Sequence, residues 1–153
     1  MINLIAMDMG LSIGFFAIFA LFGSIDYATV FSLGSFMNET AITIISLLLL
    51  GGALAKSANI PLHSWLPGSM EAPTPVSALL HAATLVTAGI YLLLRSSPIL
   101  EYSPDALLVI VIIGSSTAFF AGTCGLLGND LKRIIAFSTI SQLGYMVMAV
   151  GQI

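Results

Sequence analysis

Long apolar runs, separated by short polar breaks, set the pattern of this chain. A bilayer-spanning helix needs about 20 mainly apolar residues. Runs of that kind cover residues 3–25, 40–67, 74–95, 105–128 and 130–153, each end being approximate. The expected fold is all-α: a polytopic membrane helix bundle, a single membrane domain of about five transmembrane helices.

The second run is too long for one simple span. Apart from Lys56 and His63, it holds no ionisable residue between Glu39 and Glu71. Pro61 and Pro67 forbid an uninterrupted helix, because proline lacks the donor and its ring disfavours the α conformation before it. The reading is a broken helix: a long half to about Ser57, an extended break near residues 57–61, and a short half through Trp65. Non-helical backbone at membrane depth is tolerated only where it is buried in protein or lines a watery cavity. Transporters place their sites on such breaks.

Gly10 and Gly14 form a GxxxG pair, and Gly114, Ala118 and Gly122 put small residues on one face of the fourth helix. Such faces let backbones approach closely, although glycine is also simply common in membrane helices. Alternation puts the loops after the first and third helices on one side. They carry Asp26, Glu39, Glu101 and Asp105, with Arg95 as their basic residue. The other side carries Lys132 and Arg133, and the positive-inside rule turns it to the matrix or cytoplasm.

Composition agrees with lipid as the solvent. Of the 153 residues, 58% are hydrophobic and 7% charged, where a soluble domain carries about 25% charged residues. Net charge is −3 with four Lys plus Arg, so there is no basic surface for nucleic acid. The one cysteine, Cys124, cannot build a disulfide, a zinc site or a cluster alone and reads as a small core residue. Residues 1–9 lack a basic n-region or an Arg-rich amphipathic stretch, so no cleavable targeting signal is visible there.

Ionisable residues inside a bilayer cost about 2.5–3.5 kcal/mol each on insertion scales, so each needs a reason. Lys56 stands at the helix break. Either it exchanges protons as a carboxylate partner moves, or it snorkels to an interface. Thr74, Ser77, His81 and Thr84 recur at i, i+3, i+7 and i+10, which places them on one helix face. A stripe of hydroxyls and an imidazole can hold water and relay protons; the bland reading is a satisfied histidine at a helix contact. His63, beside Trp65, reads as interfacial. Asp8 is either a carboxylate partner for a lysine or the cap of a helix starting at Met9. Asp130 precedes the fifth helix, where an acid suits the dipole. Lys132, Thr139 and Gln142 share a face. Lys132 with Arg133 either anchors the positive side or opens a polar channel along that face. Glu71, just before Pro73 and Pro75, is a loop residue or lies at a helix start. No nucleophile–base set, phosphate loop or metal spacing occurs, which leaves ion transfer as the available chemistry.

The run Lys56-Ser57-Ala58-Asn59-Ile60-Pro61-Leu62-His63-Ser64-Trp65-Leu66-Pro67, followed by residues 70–84, resembles the antiporter-like membrane subunits of respiratory complex I. Residues 129–133, then Ser138-Thr139 and residues 141–146, are similar to the same family further along. His81 with Val86-Thr87-Ala88-Gly89 is similar to its subunit 5 branch, where the other branches carry a lysine near Thr87. The resemblance implies an antiporter-like inverted-repeat fold and a proton-translocating subunit. It implies that Lys56 is the central lysine of the broken helix and that His81 links the half-channels. It further implies that Lys132 with Asp130 opens the next helix and that Asp8 is an intramembrane aspartate. Ser77, Thr84, Thr87 and Glu71 would support them. Leu4-Ile5-Ala6-Met7 departs from the Asn-Arg-x-Gly run usual before that aspartate. Family members have many more helices, so the expectation is a partial or split subunit completed by another chain. No cofactor is expected in this chain. Flavin, iron–sulfur clusters and quinone belong to partner subunits, and the other partners are membrane-arm subunits and lipid. The expected location is the mitochondrial inner membrane, with the bacterial plasma membrane as the alternative. A sodium/proton (Mrp-type) antiporter subunit and a non-pumping structural fragment are the competing functions.

Overall fold

Helices follow the apolar runs closely in the computed structural model, which describes residues 2–23, 28, 32, 38–60 and 62–152. Helix α1 is Ile2–Phe22 and α2 is Glu39–Lys56. The short α3 (Trp65–Ser69) and α4 (Thr74–Ala78) follow. A π-helical turn, Leu79–Ala83, then leads into α5 (Leu85–Arg95). A short α6 (Ser97–Leu100) precedes the long helices α7 (Pro104–Leu126) and α8 (Leu131–Gly151). The fold is an all-helical membrane bundle. Among the described residues, four segments are long and apolar enough to cross a bilayer: Glu39–Lys56, Thr74–Arg95, Pro104–Leu126 and Leu131–Gly151. In α1 the apolar stretch is shorter, Asp8–Leu21. The proposed end of the first span at Ile25, the loop residue Asp26, Pro61 and Ile153 lie outside the described residues.

Local chemistry accounts for the ends. Asn38 caps α2 by accepting from the Thr40 N–H, with Glu39 in the first turn where an acid suits the helix dipole. Pro75 and Pro104 sit in first turns, where a missing N–H costs nothing. Asp130 takes the extended cap position of α8 without a side-chain capping bond.

Neighbouring helices run antiparallel. Gly14 of α1 lies against Leu48 and Leu49 of α2, while Gly10 has open space around it. Among the described residues, then, Gly14 serves the helix contact and Gly10 meets no neighbouring helix. The α7–α8 hairpin is the tightest pairing. A Cβ at Gly114 would stand 2.8 Å from the Gly144 carbonyl oxygen, and one at Gly144 would stand 2.7 Å from the Ala118 nitrogen. Gly122 is the exception on that face, with nothing nearer than the Ser141 hydroxyl at 3.9 Å. The buried core joins Leu54, Leu62, Leu66, Val86, Leu93, Ile110, Ile140 and Val147 from α2, the break, α3, α5, α7 and α8. Large apolar side chains such as Phe16, Tyr91, Phe119 and Leu126 face outward, as lipid or neighbouring helices require.

Candidate functional site: a helix break beside a π-turn

At the end of α2 the carbonyls of Ala53, Leu54 and Ala55 each find a donor. Ser57 donates its N–H to Ala53 (2.9 Å) and Asn59 to Leu54 (3.1 Å), while the Trp65 indole N–H reaches back to Ala55 (3.1 Å). The Asn59 bond closes a Schellman-type cap, which requires a left-handed residue before it. That residue is Ala58, with φ 53°, fully buried. A left-handed alanine costs about 1–2 kcal/mol where glycine would cost little. Such strain gathers where the surroundings hold the backbone for a purpose.

Lys56 is the last residue of α2 and is half-buried. Among the described residues its amine has no ion-pair partner. Just beyond it the Ser57 hydroxyl donates to the Val86 carbonyl of α5 (2.9 Å). One turn along, Gly89 of α5 faces Ala53 and Ser57, and a Cβ there would collide with the Ala53 carbonyl oxygen and the Ser57 hydroxyl. The break and α5 are thus locked together at backbone contact. Asn59 is fully buried in the break, and neither of its amide atoms has a partner among the described residues. Buried polar groups are normally satisfied, so this amide marks a place built for polar company.

His81 lies in the π-turn and is buried. Its Nε2 is 2.9 Å from the Ser69 hydroxyl, and its Nδ1 is buried with no partner among the described residues. The turn is closed by the Thr84 N–H bonding back five residues to Leu79 (3.3 Å). This overturns the expected straight stripe. A π-turn adds a residue, so the face does not continue from His81 to Thr84. Ser77 and His81 are buried, but Thr74 and Thr84 are exposed. Ser77 is spent on the Ala72 carbonyl (3.2 Å) and Thr84 on Leu79 (3.3 Å). The residues that share a cavity with His81 are Val86 and Thr87, at the five- and six-residue spacing the π-turn creates.

That cavity, about 280 Å³, is completed by Ser138, Thr139 and Gln142 of α8 together with apolar side chains. The α8 face read from the sequence divides between two recesses. Thr139 and Gln142 reach the His81 cavity, while Lys132, two turns before Thr139, lines a larger recess of about 680 Å³. The larger recess also gathers His63, Glu71, Asp130 and Arg133. Glu71 is exposed in the turn between α3 and α4, and Asp130 and Lys132 are exposed at the start of α8. His63 is half-buried and meets Phe120 edge-on, with ring centres 5.2 Å apart. These five groups come from the break before α3 (His63), the α3–α4 turn (Glu71) and the cap and first turn of α8 (Asp130, Lys132 and Arg133), which meet at one end of the bundle.

Asp8 does not join them. It lies inside α1, exposed, so the capping alternative falls: the helix begins before it. Its backbone carbonyl accepts from Ser12 (3.1 Å). Among the described residues no group of three His, Cys, Asp or Glu could hold a metal ion. Sequence reasoning missed Ser69 and assigned no role to Asn59, Ser138 or left-handed Ala58, which entered only as members of family-like runs. Each acquires its role from a fold-specific neighbour rather than from periodicity.

Comparison with known proteins sets this geometry in a lineage. The family described as NADH:quinone oxidoreductase/Mrp antiporter, transmembrane, matches residues 1–152. NADH-ubiquinone oxidoreductase chain 5 of Schizophyllum commune is 74% identical over 144 residues, covering 94% of this chain and 21% of that protein. Chain 5 of Cryptococcus neoformans var. grubii is 72% identical over 144 residues, covering 94% and 22%. A chain of the Mrp complex from Dietzia sp. superimposes with a TM-score of 0.93 at 36% identity, over 98% of this chain and 17% of that one. The chain thus spans about a fifth of the length of the relatives it matches.

Proposed function

Because the chain belongs to the NADH:quinone oxidoreductase/Mrp antiporter transmembrane family, we propose that it carries protons through the membrane arm of respiratory complex I as part of a subunit 5. The observation that carries this reading is His81. It stands on a π-turn, beside a cavity lined by Thr87, Ser138, Thr139 and Gln142, with its Nδ1 unpartnered among the described residues. Neutral polar side chains around a titratable imidazole favour water and proton passage.

In this reading Lys56 takes up and releases a proton as a carboxylate outside the described residues moves, and His81 passes it toward the α8 face. The recess at Lys132, Asp130 and Glu71 gives the aqueous end. Moving one charge against 100 mV costs about 2.3 kcal/mol. A swing of less than two units in one group's proton affinity covers it, at about 1.4 kcal/mol per unit. Redox chemistry, with flavin, iron–sulfur clusters and quinone, belongs to partner subunits; this chain contributes the ion path. The relatives that match at high identity are fungal chain 5 proteins, and the location is the mitochondrial inner membrane. Other membrane-arm helices complete the bundle, including those that bring the acid to Lys56.

Replacing Lys56 by Met in the assembled complex tests the reading. NADH oxidation coupled to a collapsed proton gradient supports it; an unchanged gradient leaves only a packing role. The likeness to the Mrp complex favours a second reading, sodium/proton exchange without redox partners. Isolation of the native assembly separates the two: flavin and iron–sulfur subunits accompany a complex I component and not an antiporter. Intact mass spectrometry of the same preparation identifies the polypeptide that holds the remaining helices.

A further inference from the structure

We infer that the Ser69 hydroxyl fixes His81 as the Nε2–H tautomer, and so makes Nδ1 the atom that takes up the transferred proton. The Ser69 Oγ has two close polar neighbours, the Leu66 carbonyl oxygen at 2.6 Å and His81 Nε2 at 2.9 Å. A hydroxyl has one proton to give. A carbonyl oxygen only accepts, so at 2.6 Å the serine proton must point to Leu66; otherwise two sets of lone pairs would face each other. The serine oxygen then receives a bond, and among the described residues the group at hand to supply it is Nε2–H. A neutral imidazole holds one N–H. With that proton on Nε2, Nδ1 carries a bare lone pair. It is buried, and no described residue donates to it.

The arrangement is a polarised chain: Nε2–H to Ser69, Ser69 to Leu66. It links the second half of the broken helix to the π-turn. Uptake leaves this chain intact. A hydrated proton bonds to the Nδ1 lone pair, imidazole becomes imidazolium, and the charge rises by one. Both ring N–H groups then donate, and the Ser69 oxygen bears a stronger, charge-assisted bond. Release breaks the Nδ1–H bond and restores the starting state. Ser69 is therefore a positioning residue: it never carries the proton, but it decides which face of the ring receives it. This rests on the reading that His81 lies on the translocation path.

The test uses the assembled complex with ¹⁵N-labelled histidine, and a His81→Gln complex whose spectrum is subtracted to isolate the His81 signals. In solid-state NMR at a pH where the ring is neutral, the parent shows a pyrrole-type Nε2 and a pyridine-type Nδ1. Ser69→Ala gives a mixed or exchanged pair, and Ser69→Thr, which keeps the hydroxyl, restores the parent pattern. Losing one hydrogen bond of ordinary strength also slows proton pumping about fivefold in Ser69→Ala, with recovery in Ser69→Thr. A parent spectrum with the proton on Nδ1 overturns the inference outright, and it needs no variant to assemble. An unaltered tautomer in Ser69→Ala overturns it as well. If the tautomer behaves as stated but His81→Gln pumps normally, the tautomer assignment stands and the translocation reading fails.

Discussion

Gly89 and Ala58 show how much of this fold is decided at single residues. Gly89 lets α5 touch the backbone of α2, and any side chain there meets the Ala53 carbonyl and the Ser57 hydroxyl. Overpacking of a tight contact costs about 1–3 kcal/mol. Gly89→Ala is expected to lower the thermal stability of the assembled complex by that order, and Gly89→Val to prevent its accumulation, as read on native gels. Ser57→Ala at the same contact removes one buried hydrogen bond and costs about 1 kcal/mol. Equal stabilities for Gly89→Ala and the parent would show that the helices do not meet as closely as described. Ala58 gives the opposite sign. Glycine relieves about 1–2 kcal/mol of left-handed strain. It gives up about 0.8 kcal/mol of buried methyl. Ala58→Gly is therefore expected to hold or slightly raise the melting temperature, while Ala58→Val, branched and left-handed in a filled site, lowers it sharply. Neither role was legible in the sequence, where both residues entered only as members of family-like runs. An alanine carries no sign that its φ is positive, and the need for one arises only when Asn59 must close the helix on Leu54.

At the scale of elements, hydropathy was sufficient. A run of about 20 apolar residues in lipid can only be a helix, because every backbone group must be satisfied internally. The break after Lys56 was also legible, since prolines and a lysine cannot continue a lipid-facing helix. The π-turn was not. It differs from an α-turn by one residue, needs no special side chain, and leaves Thr74, Ser77, His81 and Thr84 looking like a single stripe. Thr87, which lines the cavity with His81, was reached in the sequence only through resemblance. Small-residue faces were half legible: spacing puts Gly114, Ala118 and Gly122 together, but crossing geometry chooses which of them matter. Leucine at Gly114 or Gly144 is expected to part α7 from α8 and shorten the half-life of the complex under limited proteolysis. Leucine at Gly122, where the nearest atom across the contact is at 3.9 Å, is expected to be tolerated. Similar losses at all three positions would mean that residue volume, not backbone approach, sets the hairpin.

For the whole molecule, the decisive property is which end faces which compartment, since a proton path has a direction only if its ends differ. The antiparallel course of the helices puts the α3–α4 turn and the α7–α8 loop at the same end, where Glu71, Asp130, Lys132 and Arg133 share the 680 Å³ recess. The opposite end holds the turn around α6, with Glu101 and Asp105 nearby. Basic residues remain on the side from which a membrane protein is inserted, so the Lys132 end is expected to face the matrix. The orientation is measurable with a membrane-impermeant maleimide on a background where Cys124 is replaced by Ser. Asn129→Cys, exposed in the α7–α8 loop, is expected to react in inverted inner-membrane vesicles and to stay protected in intact mitoplasts. Tyr102→Cys, exposed at the other end, is expected to show the reverse pattern. Reaction of both from one side would break the alternation of spans. Exchange of the two patterns would invert the proposed path, making the Lys132 recess its exit rather than the side from which protons are drawn.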